Sequence, residues 1–555
     1  MPVPLDRFLR YDELTAELAR LVGEHPTLAT LESIGRSHEG RDIWLVTITD
    51  AATGAHDTKP AMWVDANIHA TELTGSVAAL NLVDRLLTDT GPTMARARAT
   101  RTFYVVPRLN PDGAELAMAD SPRYLRSSTR PWPWRDGHRP AGFHEHDIDG
   151  DGRILSLRVP DPDGAWKPHA DEPRLMAPRR PDDGPDDGPF FRMFGEGTID
   201  HHDGFTVPTP RPAEGLDLNR NYPAGWGTGI TGAGDFPTSE PEIAAAVRAM
   251  TARPNICGFN AYHTYGGVLL RPSSTKADGA LPALDVWTWK ELGARLTETS
   301  GYKVHSVYED FTWDKESTMS GASDDWAYEH LGVYGWTTEF WDVIAHVTDH
   351  RASTDVWYTG PSVDDELAVL RWADERYPGR YYVDWRPFEH PQLGPVEIGG
   401  WDFLHVWGNP PTDLLAAEIA PHADFAVFQA LAAPELAVRH LSAERLGDDT
   451  WRVRAGLANV GWLPTHVTQW AAKHSIVLPL VAELSGAIVL DGPARRELGQ
   501  LAGRAGFRVN GGDHHDGTPE RVSVAWVVRA PVGTEITVEG RHPRAGTDRA
   551  PLTLA

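Results

Sequence analysis

Strand-like and helix-like segments alternate along the first 380 residues, and this alternation limits the fold more than any other feature of the sequence. The run AMWVDANIH (61–69) is apolar almost throughout, as expected for a strand buried on both faces of a sheet. It leads into ELTGSVAALNLVDRLL (72–87), where apolar residues recur at helical spacing. The same pattern predicts strands over 29–35, 42–49, 61–69, 101–111, 255–263 and 333–341, and helices over 15–26, 72–87, 240–250, 281–301 and 362–377. Such alternation is typical of an α/β fold with a helix-covered sheet.

Two changes of pattern divide the chain into three predicted regions. From about 114 to 214 the sequence is dense in Pro, Asp, Gly and Arg, and this stretch is far longer than an ordinary connection. We therefore expect a first domain over 1–380 that carries a functional insertion or a mobile excursion at about 114–214. Residues 381–433 are expected to form a connecting extension. Residues 434–555 alternate with a period of two, which predicts an all-β sandwich as an accessory domain.

Composition argues against several classes of function. The chain has 555 residues and a formal net charge of −26, whereas nucleic acids and anionic membranes bind basic surfaces. We therefore expect no nucleic-acid and no membrane partner. The sequence has no basic start followed by an apolar run and no stretch of about 18 apolar residues, so we expect a cytoplasmic protein. Nothing in the sequence indicates the oligomeric state.

Two histidines and one glutamate lie at the ends of predicted strands. His69 ends the strand 61–69, Glu72 begins the next helix, and His263 ends the strand 255–263. The carboxyl edge of an α/β sheet is where such folds bind ligands. Taken singly, Glu72 would serve equally well as a helix cap and either histidine as a core residue. Taken together, two imidazoles and one carboxylate are a ligand set of catalytic zinc.

Six short motifs occur in an order that resembles the carboxypeptidase A-like zinc peptidases, the M14 family. They are HxxE (69–72), NPDG (110–113), DLNRNY (217–222), AYHTYGG (261–267), SGASDDWAY (320–328) and TTEFWD (337–342). The resemblance covers roughly 1–380, interrupted by the insertion. It implies a mixed, mostly parallel central sheet flanked by helices. It also implies a metallocarboxypeptidase that uses one zinc ion and acts on peptide substrates.

The resemblance assigns the metal and the base. His69, Glu72 and His263 are implied to bind zinc, and Glu339 matches the family's catalytic glutamate. In the implied reaction, zinc acidifies a water molecule and Glu339 takes its proton.

The resemblance also assigns three residues to the substrate. Asn219 and Arg220 match the pair that grips the terminal carboxylate, a role that suits the forked guanidinium. Arg126 matches the arginine that polarises the scissile carbonyl, although Arg123 and Arg130 lie close to it in the sequence.

Two further positions bear on specificity. Asp324 aligns with a pocket position that is aspartate in the carboxypeptidase B type, which implies a preference for C-terminal Lys or Arg. The alternative is a loop-capping aspartate, like its neighbour Asp325. The family's mobile active-site tyrosine falls at Ser317, so that phenol is absent, and Tyr308 is a candidate substitute.

The insertion contains DIDGDGRI (147–154), in which Asp147, Asp149 and Asp151 are spaced as in a calcium loop. The acidic ligand required at the twelfth position is missing, because Arg158 is found there. A structural calcium ion near these aspartates is therefore a secondary hypothesis, and an ordinary Asp-Gly turn is the alternative.

Hydrolysis of the C-terminal peptide bond of peptides is the leading functional hypothesis. One alternative is a zinc amidase that acts on peptidoglycan-type peptides with the same metal chemistry. Another is a catalytically silent peptide-binding protein. The presence of all three predicted zinc ligands and of Glu339 argues against this last alternative.

Overall fold

The computed structural model describes residues 2–133, 139–316, 319–348, 350, 359–505 and 516–555. The α-helices of this part of the chain are α1 (Tyr11–Glu24), α2 (Thr74–Thr88), α3 (Pro92–Thr100), α4 (Pro111–Ala117), α5 (Pro241–Thr251), α6 (Ala283–Ser300), α7 (Ser323–Trp326), α8 (Val343–Val347), α9 (Val363–Arg376), α10 (Phe403–Val406), α11 (Leu415–Ala432) and α12 (Gln469–Lys473). The strands are β1 (Ala29–Arg36), β2 (Asp42–Ile48), β3 (Ala61–Ala66), β4 (Thr102–Val106), β5 (Gly142–Glu145), β6 (Ser156–Pro160), β7 (Trp166–Pro168), β8 (Met176–Pro178), β9 (Phe191–Gly195), β10 (Gly197–Asp200), β11 (Ile256–Thr264), β12 (Val268–Arg271), β13 (Lys303–Ser306), β14 (Tyr334–Phe340), β15 (Tyr382–His390), β16 (Gly394–Trp401), β17 (Leu436–Gly447), β18 (Thr450–Asn459), β19 (Leu480–Ser485), β20 (Ile488–Val489), β21 (Arg495–Gly499), β22 (Arg521–Arg529), β23 (Glu535–His542) and β24 (Gly546–Thr553). None of these helices has the length and hydropathy that crossing a bilayer requires.

An eight-stranded mixed sheet, the main sheet, has the strand order β1-β2-β4-β3-β11-β14-β12-β13. The pairs β3/β4, β3/β11, β11/β14 and β12/β13 are parallel. The pairs β1/β2, β2/β4 and β12/β14 are antiparallel. Parallel pairs predominate and helices cover both faces, so the predicted α/β fold class is confirmed.

Strand β3 illustrates why the central strands are apolar throughout. Successive side chains of a strand point to opposite faces of the sheet. Met62 and Val64 face the core that includes α2 and α11, whereas Ala61 and Trp63 face the core that includes α5. Because both faces are covered, the period-two alternation of a half-exposed strand is absent here.

The stretch at about 114–214, for which no regular structure was expected, contributes strands to a second sheet. Strands β6, β7, β8 and β9 join β15 and β16 in the order β15-β16-β6-β9-β7-β8, which we call the inserted sheet. Leu155, Leu157, Val396 and Ile398 share its core. The sequence pattern missed these strands because those of the insertion are only three to five residues long and lie among Pro and Gly. The extension expected over 381–433 is therefore paired with the insertion through β15 and β16, and its helix α11 packs in the core with α2.

The C-terminal region forms two four-stranded antiparallel sheets, β17-β18-β22-β20 and β21-β19-β23-β24. Trp451, Val453 and Trp526 from the first sheet share a core with Ala482 and Val538 from the second. Two sheets that pack face to face around inward-pointing side chains form a sandwich. The predicted all-β character of this region is confirmed.

Candidate active site

The loop after β3 carries two of the predicted metal ligands. Strand β3 ends at Ala66, so His69 lies in this loop and not at the strand end that the sequence pattern predicted. Asn67 adopts a left-handed conformation with a φ of 57°, and its side-chain amide donates to the carbonyl oxygen of His69 at 2.7 Å. This turn brings His69 and Glu72 to the carboxyl edge of the main sheet before α2 begins at Thr74.

Two neighbouring strands hold His263 and Glu339 side by side. Strands β11 and β14 run parallel, and His263 is directly opposite Glu339 in their register. Residues opposite each other in a sheet project from the same face. The predicted third ligand and the predicted base therefore face the same space.

The side chains of His69, Glu72 and His263 converge and are all buried. Nδ1 of His69 lies 2.7 Å from Oε1 of Glu72, and Nδ1 of His263 lies 2.8 Å from Oε2 of Glu72. The two Nδ1 atoms are 3.1 Å apart. Burial opposes ionisation of Glu72, but both histidines hold the pKa of Glu72 well below its usual range. Two imidazole nitrogens and an ionised carboxylate directed at one buried point are a donor set that fits zinc.

Asp217 belongs to the site although the sequence analysis did not assign it. Its carboxylate lies 3.1 Å from Nε2 of His69 and accepts from Nε of Arg126 at 3.0 Å and from the backbone N–H of Asn219 at 2.9 Å. Burial opposes its ionisation, but Arg126, Arg220 and His69 hold the pKa of Asp217 well below its usual range. Asp217 is the first residue of the DLNRNY motif, and this position is the sequence signal from which it could have been identified.

The structure separates the three neighbouring arginines. Arg123 donates to Glu214 at 2.9 Å, and Arg130 donates to Glu240 at 2.6 Å. Arg126 is the one of the three that lines the cavity of the metal ligands, and its side chain is 53% exposed. Its guanidinium is held by Asp217 through Nε and is still accessible from the cavity.

A cavity of about 200 Å³ brings the predicted site residues together. Its lining includes His69, Glu72, Arg126, Asn219, Arg220, His263, Asp324 and Glu339. Every residue that the resemblance assigned to zinc binding, catalysis or substrate binding thus lines one cavity.

Asp324 and Asp325 have different surroundings at one side of this cavity. The carboxylate of Asp325 accepts from the backbone N–H of Ser274 at 3.1 and 3.2 Å, as a loop-capping aspartate does. Asp324 is 2% exposed and lines the cavity. Burial raises the pKa of Asp324, and burial together with Asp324 raises the pKa of Asp325 to about 8. Asn219 accepts from the backbone N–H of Ser323 at 2.9 Å, which joins this segment to the DLNRNY loop.

Glu339 is close to groups of both charge signs. Burial raises the pKa of Glu339 to about 8, with Glu72 and Asp324 adding to the rise and His263 and Arg126 opposing it. A carboxyl with a pKa near neutrality can both accept and release a proton during a reaction. Its position suits general acid–base chemistry.

The predicted loss of the active-site tyrosine falls on Ser317, which lies outside the described residues. Tyr308, the suggested substitute, has its ring centroid 5.1 Å from the ammonium of Lys315. Among the described residues, the lining of the cavity includes Tyr265 and not Tyr308. Tyr265 follows the predicted ligand His263 by two residues.

The carboxylates that lie together near the predicted calcium loop of the insertion are not the three that the sequence suggested. Asp147, Asp149 and Glu196 each place a carboxylate oxygen within 4.8 Å of the others. Asp151 instead lies 3.2 Å from Arg386, which also contacts Asp149. The carboxylate of Glu196 accepts from backbone amides of the same loop. Arginine and backbone amides therefore engage these carboxylates, and calcium here stays a prediction.

Two family models match the chain. The model described as "Zinc carboxypeptidase" (Peptidase_M14) matches residues 14–346, more than half of the sequence. The model described as "Domain of unknown function (DUF8731)" matches residues 435–553. The chain belongs to the zinc carboxypeptidase family, as the motif order predicted.

Individual relatives match shorter or more divergent stretches. A zinc carboxypeptidase of Saccharothrix mutabilis subsp. capreolus is 31% identical over 112 residues, which are 20% of this chain and 25% of that protein. Carboxypeptidase A1 of Rattus norvegicus is 24% identical over 349 residues, which are 60% of this chain and 62% of that protein. The crystal structure of thrombin activatable fibrinolysis inhibitor has a TM-score of 0.42 at 16% identity and covers 77% of this chain and 74% of that chain. The chain thus spans about a quarter of the length of the Saccharothrix protein and about three fifths of the length of the rat protein.

Proposed function

We propose that this chain is a zinc-dependent carboxypeptidase that hydrolyses the C-terminal peptide bond of peptides. The observation that carries the proposal is the single cavity lined by a zinc donor set, a carboxyl group and an Asn–Arg pair. A zinc donor set alone serves many hydrolases. Asn219 and Arg220 beside it support an exopeptidase, because a guanidinium and an amide recognise a free carboxylate.

The roles of the residues follow from their chemistry. Zinc held by His69, Glu72 and His263 would supply Lewis-acid chemistry and lower the pKa of a water molecule. Glu339 accepts a proton from the water that attacks the peptide carbonyl carbon, and it donates that proton to the nitrogen of the departing amine. Arg126 donates to the carbonyl oxygen as negative charge develops on that oxygen.

We further propose a preference for a C-terminal Lys or Arg. Asp324 is buried against the same cavity, and burial raises its pKa. A buried carboxylate is costly unless it is paired, so a cationic side chain entering the cavity stabilises the ionised form of Asp324. An apolar side chain offers no such compensation.

Matched peptides test both parts of the proposal. Zinc-quantified protein is incubated with peptides that end in Lys, Phe or Glu, each as the free acid and as the C-terminal amide. We expect cleavage of the free acids only, with Lys fastest. Glu339→Gln should lower kcat by about 10²- to 10⁴-fold at unchanged zinc content. Asp324→Asn should abolish the preference for Lys, and Glu298→Gln, at an exposed side chain, serves as the control.

Three outcomes would contradict the proposal. Amides cleaved as fast as the acids would exclude recognition of the terminal carboxylate. Hydrolysis confined to peptidoglycan tripeptides would favour the zinc amidase. Peptide binding without any hydrolysis, at full zinc occupancy, would favour the silent binding protein.

A further inference from the structure

A second and larger cavity, of about 920 Å³, lies between the inserted sheet and the β12–β13 edge of the main sheet. This volume is typical of sites that bury most of a drug-sized ligand. Six aromatic side chains of its lining define what we call the aromatic cleft: Trp166, Tyr265, Tyr382, Trp385, Trp401 and Phe403. Four of the six belong to the inserted sheet, so the cleft exists because of the insertion and the strands that pair with it.

Three of these rings, those of Tyr382, Trp385 and Trp401, donate hydrogen bonds within the protein. The indole N–H of Trp385 donates to the carbonyl oxygen of Arg174 at 2.7 Å, and that of Trp401 donates to Glu366 at 2.8 Å. The rings of Tyr382 and Trp401 pack edge to face at 4.9 Å. The rings are thereby held in fixed orientations, and what they offer a ligand is mainly apolar surface.

Two of the charged groups that line the cleft, Arg174 and Glu366, have partners within the protein. The guanidinium of Arg174 binds Asp374 at 2.6 Å and Glu172 at 2.9 Å. The carboxyl of Glu366, which accepts from Trp401, is partly buried, and this burial raises its pKa. At the inserted sheet a ligand therefore meets little unbalanced charge, which favours apolar groups there, whereas Lys303 lines the cavity from β13.

The aromatic cleft adjoins the cavity of the metal ligands at Tyr265. Tyr265 lines both spaces and follows the metal ligand His263 by two residues. Its ring packs edge to face against Phe403 at 5.6 Å, and Phe403 is 48% exposed. A peptide whose terminal residue lies beside Asp324 has to extend past the metal ligands. On the side of Tyr265, the residues of the peptide that precede the scissile bond would then lie in the aromatic cleft.

We propose that the aromatic cleft binds the residues of the peptide that precede the scissile bond, and that it selects large apolar side chains there. This inference rests on the proposed carboxypeptidase function. Binding energy from parts of the substrate remote from the reacting bond raises kcat/KM when it is realised in the transition state. Peptides with apolar residues upstream should therefore be the better substrates.

A substrate series with variants tests the proposal. The substrates are a blocked dipeptide and two blocked pentapeptides that share the first residue and the C-terminal pair of the series. One pentapeptide has Phe and Leu at the two positions between, and the other has Ser at both. We expect kcat/KM about tenfold higher for the apolar pentapeptide than for the Ser pentapeptide. Phe403→Ala and Trp385→Leu should each lower that ratio about fivefold and change kcat/KM for the dipeptide less than about twofold. Phe205→Ala removes an aromatic ring of the insertion that is 92% exposed and should change nothing.

Equal kcat/KM for the two pentapeptides would overturn the proposal. So would variants that impair dipeptide and pentapeptide alike, or a preference for a peptide carrying a disaccharide over the apolar pentapeptide. If no peptide is hydrolysed, the proposed carboxypeptidase function fails, but the proposed binding of peptides in the aromatic cleft can still be tested. Isothermal titration calorimetry then measures the affinity of the zinc-loaded protein for the apolar pentapeptide. Binding weakened about fivefold by Phe403→Ala supports the cleft, and binding unchanged by that substitution overturns it.

Discussion

At the scale of single residues, Asp217 shows how one buried carboxylate organises the site. It contacts His69, Arg126 and the backbone of Asn219, which are implied to serve the metal, the carbonyl and the terminal carboxylate respectively. A carboxylate behind a ligating histidine orients the ring and raises its basicity. Asp217 is therefore a positioning residue that acts through its neighbours.

Asp217→Asn should weaken zinc binding, because an amide keeps the shape of the side chain but loses the charge that supports His69. Loss of such a partner typically lowers metal affinity about 10- to 100-fold. Competition with a chromogenic chelator measures the zinc dissociation constant. Asp186→Asn, at an exposed position of the insertion, is the control. An unchanged dissociation constant in the Asp217 variant would show that Asp217 does not support the metal.

Glu242 provides a second prediction at this scale. It is fully buried in α5, and its Oε1 accepts from the backbone N–H of His38 at 2.8 Å. Its Oε2 has no hydrogen-bond partner among the described residues. Burial raises the pKa of Glu242 to about 7 from an ordinary value of 4.5. Between these two pH values the folded state therefore holds a proton that the unfolded state has released. The free energy of unfolding is highest at low pH and falls as the pH rises from about 4.5 through about 7.

Glu242→Gln should remove this pH dependence, since glutamine resembles the protonated acid. The free energy of unfolding of the variant should exceed that of the parent by on the order of 2 kcal/mol at pH 8 and differ little from it at pH 5. Urea unfolding at both pH values measures the difference. Glu298→Gln is the exposed control. A variant difference that does not change with pH would contradict the assignment.

At the scale of elements, the turn before α7 holds together the two segments that are proposed to bind the substrate. Gly321 has a φ of 80°, and a Cβ there would lie 2.4 Å from the carbonyl oxygen of Arg220. Its backbone carbonyl accepts from Tyr222 at 3.0 Å, and its N–H donates to Ala224 at 2.8 Å. This contact sets the position of Asp324 relative to Arg220.

Gly321→Ala should separate these segments, because the methyl group collides with backbone and a left-handed conformation costs a non-glycine residue about 1–2 kcal/mol. We expect KM for peptides to rise about tenfold and the Tm to fall by several degrees. Steady-state kinetics and thermal unfolding measure the two effects. Gly279→Ala meets no atom within 4 Å and should be silent. Unchanged KM in Gly321→Ala would refute the role of this turn.

At the scale of the whole molecule, the division into 1–380, 381–433 and 434–555 stays a prediction, but contacts join the parts. Asp285 in α6 accepts from the hydroxyls of Tyr328 and Tyr334 at 2.8 and 3.0 Å. It also accepts from the backbone N–H groups of Gln469 and Trp470 at 2.7 and 3.0 Å. One buried carboxylate thus ties the C-terminal region to the segments around α7 and β14.

Asp285→Ala should leave four buried donors without their acceptor and destabilise the protein by about 3–5 kcal/mol. Calorimetry should show one unfolding transition in the parent, because the two regions are coupled, and a lower first transition in the variant. Asp424→Ala, at a side chain that is 61% exposed, is the control. A variant that melts with the parent would mean that this contact does not couple the regions.

Local pattern accounts for much of this architecture. Apolar runs and helical spacing predicted six of the eight strands of the main sheet, since burial of both sheet faces marks the sequence directly. The short strands β12 and β13 at one edge of the main sheet were not predicted. The strands of the inserted sheet escaped because pairs such as β6 with β16 join residues more than 200 positions apart. Short strands of this kind carry little periodicity of their own.

The sequence by itself determined the chemistry of the site, because His69, Glu72, His263 and Glu339 are recognisable by residue type and motif order. Only the tertiary structure decided which residues support that chemistry. Arg126 is distinguished from Arg123 and Arg130 because those two arginines pair with other carboxylates. Asp217 is identified by its contact with His69, which lies 148 positions away in the sequence. The aromatic cleft depends on a sheet that is assembled from two distant segments. The physical reason is that ligand chemistry resides in single side chains, whereas pairing, burial and cavities arise from contacts that no local segment encodes.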